Sequence, residues 1–346
     1  MARRTLLLTV VAALAGPAAA SAHGGKSAPV ATNFRTDASI APRTAGLHVR
    51  VADGDRILWL HASGAAVVTV LGAEREPFLR FDRQGVSVNL RAPTAQIDGI
   101  TPPNAPVRAD SNAPPRWHQV SGGRTYRWHD HRLHALEPLA RGRSARALGH
   151  WVIPMLVDGR RVSIGGELRY APAPSPWPWV AAIVLVAAGG TLGLREARRR
   201  AIVTTGLALL ATVAIAIARI GRELYGWPLV DGLRYAAIVV TCIVGALLVY
   251  GLTLRDREIR LFVAFLVGFG SLYQGLTFLP MLTQALPLTV LPTAVARACV
   301  AMILGIGSAA VALSALEQGG DHSLSRRRVR TTPPRRQRIH PLPKQR

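Results

Sequence analysis

The sequence predicts two architectures in series: an all-β, immunoglobulin-like sandwich outside the membrane, then an all-α bundle of five transmembrane helices. Between residues 47 and 171, short alternating polar and apolar runs are broken by turn residues, the period of half-buried strands. From Trp177 onward the apolar runs lengthen to about 20 residues, enough to cross a bilayer core. Arginine-rich connectors separate the long runs, so charge and hydropathy point to one threading.

The chain opens with Arg3 and Arg4, an apolar run "TLLLTVVAALAGPAAA" (5–20), and small residues at Ala20 and Ala22. A basic start, a short apolar core and small residues before a cleavage point make a secretory signal peptide, expected over 1–22. Cleavage after Ala22 leaves His23 as the mature amino terminus; an uncleaved first membrane helix is the competing reading.

The exported domain is expected over 23–172. "LHVRV-ADGD-RILWLHA" (47–62) alternates on both sides of an Asp-Gly turn and predicts a hairpin. "AAVVTVLG" (65–72) predicts a third strand, "PFLRF-DRQG-VSVNL" (77–90) a second hairpin, and "GHWVIPMLV-DGR-RVSIGGELRYA" (149–171) a third. With "RTYRWH" these make about eight strands and no helical run, hence the sandwich. Six prolines in 91–117 predict a long loop lying over it. Both cysteines, Cys242 and Cys299, fall in apolar segments, so the exported domain stands on its core without a disulfide.

"APAPSPWPW" (171–179) predicts a stiff extended linker ending in two tryptophans suited to the headgroup level. The membrane domain is expected over 173–316, with spans near 177–194, 201–219, 235–254, 261–280 and 294–316. With 23–172 outside, five spans put "REARRR" (195–200), "RDREIR" (255–260) and the tail 317–346 in the cytoplasm. The expected protein is therefore multi-pass in the plasma membrane. Residues 280–293, with Pro280, Pro287 and Pro292, read as an external or a re-entrant loop.

The net charge of +23 follows this threading. The tail holds 9 Lys+Arg against 2 Asp+Glu, and residues 23–176 hold 20 against 12. No nucleic-acid motif accompanies the charge, so the expected partner is the lipid bilayer and not nucleic acid. The tail, polar, proline-rich and without apolar periodicity, is expected to be disordered against anionic lipid.

"VVTVLGAEREPFLRF", "TYRWHDHR" and "PAPSPWPW" together resemble an uncharacterised family of actinobacterial multi-pass membrane proteins, over about 32–316. The resemblance implies a signal peptide, an external β-domain and a carboxy-terminal membrane bundle, and no activity. A looser similarity, carried by His23 alone, is to periplasmic copper-binding β-barrel proteins that begin with a mature His; the Met-rich segment of some of these is absent.

Eight of the ten histidines lie in 23–150, and "TYRWHDHRLH" (125–134) places His129, His131 and His134 around Asp130. On a strand, His129 and His131 point to one face about 7 Å apart and Asp130 to the other. A processed His23 chelates an ion through its amine and imidazole, and imidazoles from 129–134 complete the nitrogen-rich tetragonal set that suits copper(II). Asp130 then orients a ligand. Two other readings stand beside this one. In the first, Tyr126 and Trp128 are core residues and the histidines are structural or exposed. In the second, clustered imidazoles sense pH.

No nucleophile elbow, His-Glu-x-x-His or phosphate loop occurs, so no enzyme is expected. The spans carry no histidine and one deep cation, Arg297, which disfavours a transporter; Arg219, Arg222, Glu223, Asp231 and Arg234 are expected in an external loop. Glycines in "GFGS" (268–271) and "GIGSAA" (305–310) suit helix packing. The expected function is an external binding module, for copper through His23 and the histidine cluster, or an envelope scaffold that docks another protein without metal.

Overall fold

The computed structural model describes residues 29–102, 107–134, 145–195, 200–226 and 232–310. The signal segment 1–22, His23 and the tail 317–346 lie outside the described residues.

Three short strands, β1 (Ala31–Thr32), β2 (Phe34–Thr36) and β3 (Ser39–Ala41), precede the first expected hairpin, β4 (Leu47–Ala52) and β5 (Ile57–Ala62). β6 (Val68–Leu71) follows, then the hairpin β7 (Pro77–Asp82) and β8 (Gly85–Asn89) and a short helix α1 (Pro93–Ile97). β9 (Trp117–Ser121), β10 (Thr125–His129) and the long hairpin β11 (Arg146–Val157) and β12 (Arg160–Tyr170) complete the domain.

β10, β5 and β4 form one antiparallel sheet; the larger sheet runs β2-β12-β11-β6-β7-β8-β9, with β3 also on β12. The strict alternation of β5 makes the two layers possible. Leu58, Leu60 and Ala62 are fully buried while Trp59 and His61 between them face outward. The inward residues share one core with Trp128, Val70, Phe81, Val88, Ile153, Met155 and Ile164. Each fully buried Leu or Phe there contributes about 1.5–3 kcal/mol, before the entropy of ordering is set against it.

Two expectations about this domain change. Among the described residues between Ala31 and Tyr170 there are twelve strands, not about eight, because β1 to β3 are too short to show a period and β9 is polar. The proline-rich stretch 91–117 is not structureless: Pro93 opens α1, where a missing N–H costs nothing.

The bundle contains α2 (Trp177–Arg195), α3 (Arg200–Glu223), α4 (Gly232–Thr253), α5 (Arg257–Phe278) and α6 (Pro280–Thr283). A two-residue strand β13 (Leu286–Pro287) and the helix α7 (Thr293–Ala310) follow. α2, α3, α4, α5 and α7 are each long and apolar enough to cross a membrane, and the chain is an integral membrane protein on that ground. α7 is the centre of the bundle: 56% of its span is buried, against 11% for α2 and for α4. Its glycines allow this. A Cβ on Gly307 would stand 2.6 Å from the Leu272 backbone nitrogen on α5, and one on Gly305 2.6 Å from Val186 Cβ on α2.

α3 runs to Glu223, past the expected end at 219, so Arg222 is helical and not in a loop. The physical reason is a partner: Arg222 is 6% exposed and reaches Asp53 Oδ1 of the β4–β5 turn at 3.3 Å. Segment 280–293 is neither a plain loop nor unattached, since β13 pairs antiparallel with β1, Ala31 opposite Pro287 and Thr32 opposite Leu286. Arg297, the deep cation, donates to the carbonyls of Met281, Gln284 and Ala285 and so ties α7 to that segment.

Candidate functional site: a histidine cluster above the bundle

β10 pairs with β5 from Thr125 to His129 and there the strand stops. Asp130 caps the next turn, a 3₁₀ segment His131–Leu133, by accepting from the Arg132 backbone N–H at 3.1 Å, and Leu133 anchors it in the core. His129 and His131 are therefore not on one strand face, as the His-x-His spacing suggests; the turn swings His131 back. The rings meet nonetheless. Centroids of His129 and His131 are 4.7 Å apart, of His129 and His134 4.8 Å, and of His131 and His134 6.2 Å.

Two of the rings have one nitrogen held by a carboxylate. His131 Nδ1 bonds Asp98 Oδ1, which also accepts from the His131 backbone N–H at 3.2 Å. His134 Nδ1 bonds Asp55 Oδ2 at 3.1 Å. The Arg56 backbone favours the protonated form of His129, against the larger effect of burial. Sequence reasoning passes over Asp98 and Asp55, which lie 33 and 79 residues from their histidines. The only local hint is an acid beside the Asp-Gly turn and another in "QIDG".

Asp130 has a different role from the ligand-orienting one its position suggests. Its side chain is fully buried and accepts from Trp128 Nε1 at 2.9 Å, Arg132 Nε at 2.9 Å and Arg132 Nη2 at 2.8 Å. Burial pushes this carboxyl up, but the bonds and charge of Arg132, with the Trp128 N–H, hold it below the usual carboxylate range. Trp128 is core as expected, and Tyr126 packs at the edge of the core.

The cluster is electrostatically tense. Burial raises the Asp98 carboxyl to about 6, against the lowering effect of His131, and Asp98 Oδ2 is buried with no hydrogen-bond partner among the described residues. Burial lowers His129, and the neighbouring His134 and His131 add to this. A proton on Asp98 relieves the first condition, whereas positive charge on His129 is opposed by its burial and by its two neighbours. Among the described residues no group of three His, Cys, Asp or Glu side chains already stands at metal-ligand spacing.

A folded carboxyl with a raised pKa holds its proton more tightly than the unfolded one. The stability Asp98 contributes is therefore fully present below pH 3.8 and lost as pH rises through about 6. Asp98→Asn is expected to flatten that fall, worth about 2–3 kcal/mol, while leaving the opposite His129 effect in place. Denaturation midpoints of both proteins from pH 4 to 7 test this, and parallel profiles would show that Asp98 does not titrate there.

The β4–β5 turn lies under the cluster and over the helices. Asp53 and Gly54 take left-handed φ values of 54° and 83°, as an Asp-Gly turn permits. The two acids of the turn then divide between two partners. Asp53 faces Arg222 and, at 3.7 Å, Arg234 of the bundle; Asp55 holds His134.

The remaining described histidines are elsewhere. His48 and His61 stack on the outer face of the small sheet, and His118 and His150 are exposed. No protein-family model matches this chain, and neither a curated protein nor a solved structure matches it.

Proposed function

We propose that the chain is a plasma-membrane protein of the envelope whose β-domain, an immunoglobulin-like sandwich held outside, binds copper(II) at His129, His131 and His134, with His23 completing the set. The observation that carries this is that the three imidazoles cluster around His129 while His131 and His134 each have Nδ1 fixed by a carboxylate, which leaves Nε2 available. Carboxylate-held imidazoles of this kind are the usual supports of metal ligands. An imidazole ligand puts its ring centre about 3 Å from the ion, so rings at right angles stand roughly 4.5 Å apart. The separations of 4.7 and 4.8 Å suit that arrangement after modest ring rotation. The role is binding and presentation at the envelope, and not catalysis.

The test is calorimetric titration of copper(II) into the detergent-solubilised full chain with an authentic His23 terminus. One ion is expected to bind, at least about tenfold more weakly when both His131 and His134 are alanine and again when one Gly precedes His23. Equal affinity in the double variant would remove the metal from the function. The anchored β-domain would then be a scaffold for an envelope protein.

A further inference from the structure

The outward face of the small sheet carries a second, unrelated feature. Register places Arg50, Trp59 and Arg127 directly opposite one another across β4, β5 and β10, and His48, His61 and Thr125 in the next row. Trp59 lies parallel to His61, 18° between planes with centroids 6.0 Å apart, and His61 continues the stack to His48. His61 is itself fixed by Thr125 Oγ1 at 2.7 Å. The half-buried Trp59 indole is therefore held at one end of an ordered aromatic row. An open groove of about 680 Å³ runs along it, lined by Ser39, Arg43, Thr44, His48, Arg50 and Trp59 among others, with no acidic residue in its wall.

We propose that this groove binds an acidic polysaccharide. The C–H face of a sugar ring lies on the Trp59 indole, and carboxylates on neighbouring rings pair with the guanidiniums of Arg50 and Arg43. Three features favour this ligand. The groove is open, which suits an extended polymer and not a compact ligand. Strand spacing sets the backbones carrying Arg50 and Arg127 about 10 Å apart with the indole between them, so charge flanks a ring-sized apolar step. Arginine meets carboxylate with two parallel bonds, which fixes orientation as well as charge. A lipid headgroup is the less favoured ligand, because Arg50 and His48 lie about 10 Å and about 17 Å of strand away from Asp53, the residue that meets the bundle. The proposal rests on the extracytoplasmic placement of the β-domain and is independent of metal binding.

The experiment uses the full chain in detergent and compares an oligogalacturonate, a neutral dextran, a polyglutamate and an oligothymidylate, the charged probes matched in charge. Calorimetry at moderate salt is expected to show the oligogalacturonate binding at least tenfold more tightly than polyglutamate, with no heat from dextran. Trp59→Ala and Arg50→Glu are each expected to weaken it at least tenfold while the far-ultraviolet circular dichroism stays unchanged. Arg50 is exposed, so its replacement leaves the core intact. Equal affinity for polyglutamate, an unaltered Trp59→Ala or Arg50→Glu, or tighter binding of oligothymidylate each overturns the proposal; the last makes the groove a single-stranded nucleic-acid surface.

Discussion

Asp130→Ala is expected to lower the stability of the β-domain by about 3–5 kcal/mol, the cost of removing one partner from a buried ion pair. The substitution strands two groups at once. Arg132, only 19% exposed at its side chain, loses its paired bonds, and Trp128 Nε1 loses its acceptor inside the core. Arg132 Nη1 keeps the Leu71 carbonyl at 2.8 Å, which is too little to satisfy a guanidinium. The melting midpoint in detergent should fall by roughly 10 °C. Asp130→Asn keeps an acceptor for Trp128 but no charge for Arg132 and should fall in between. A shift under about 2 °C for alanine would mean that water or a rearranged Arg132 replaces the carboxylate. Acid has the same direction of effect: the contribution is present above pH 3.8 and lost as pH falls through the depressed folded value.

Arg222→Ala is the second large effect, and it acts on the junction and not on the core. Arg222 donates to the Pro29 carbonyl at 2.8 Å as well as to Asp53, and lies 5.8 Å from the centre of the Tyr225 ring. Alanine leaves the buried Asp53 facing Arg234 alone, at 3.7 Å, and a loss of about 3 kcal/mol is expected. The readout is local. Amide exchange should rise in β1, β2 and the β4–β5 turn while the β11–β12 hairpin stays protected. Uniform exchange across both regions would show that the junction is held by something other than this pair.

The parts of the fold legible in the sequence are those set by short-range patterns. The hairpins at 47–62, 77–90 and 149–171 are marked by alternation and by Asp-Gly or comparable turns, and all three pair in register. The five spans follow from length and apolarity alone. What escapes is set by distant partners. Nothing near "SIA" or "FRT" shows that β12 completes them, and nothing near Arg222 shows that Asp53, 169 residues earlier, takes it out of the loop. The histidine cluster was visible as composition, but its shape depends on Asp130 choosing to cap a turn and on two acids supplied from elsewhere in the chain.

The pairing of β1 with β13 has a consequence for how the molecule is made. Ala31 emerges early in synthesis, whereas its partner Pro287 lies 256 residues later, after four of the five long helices. Asn33 is also held from late in the chain, accepting through Oδ1 from the Ala285 N–H at 2.8 Å, and the Val30 carbonyl accepts from Leu288. β1 therefore waits, unpaired, until α5 has been inserted and the α6–β13 segment is in place. That pairing is one of the last steps of assembly, and it is a contact of very high sequence separation, the slowest kind to form. Until then the domain is joined to the helices by the linker and by the contacts of Arg222 and Arg234 with Asp53, and the finished junction marks a chain made past its fourth long helix.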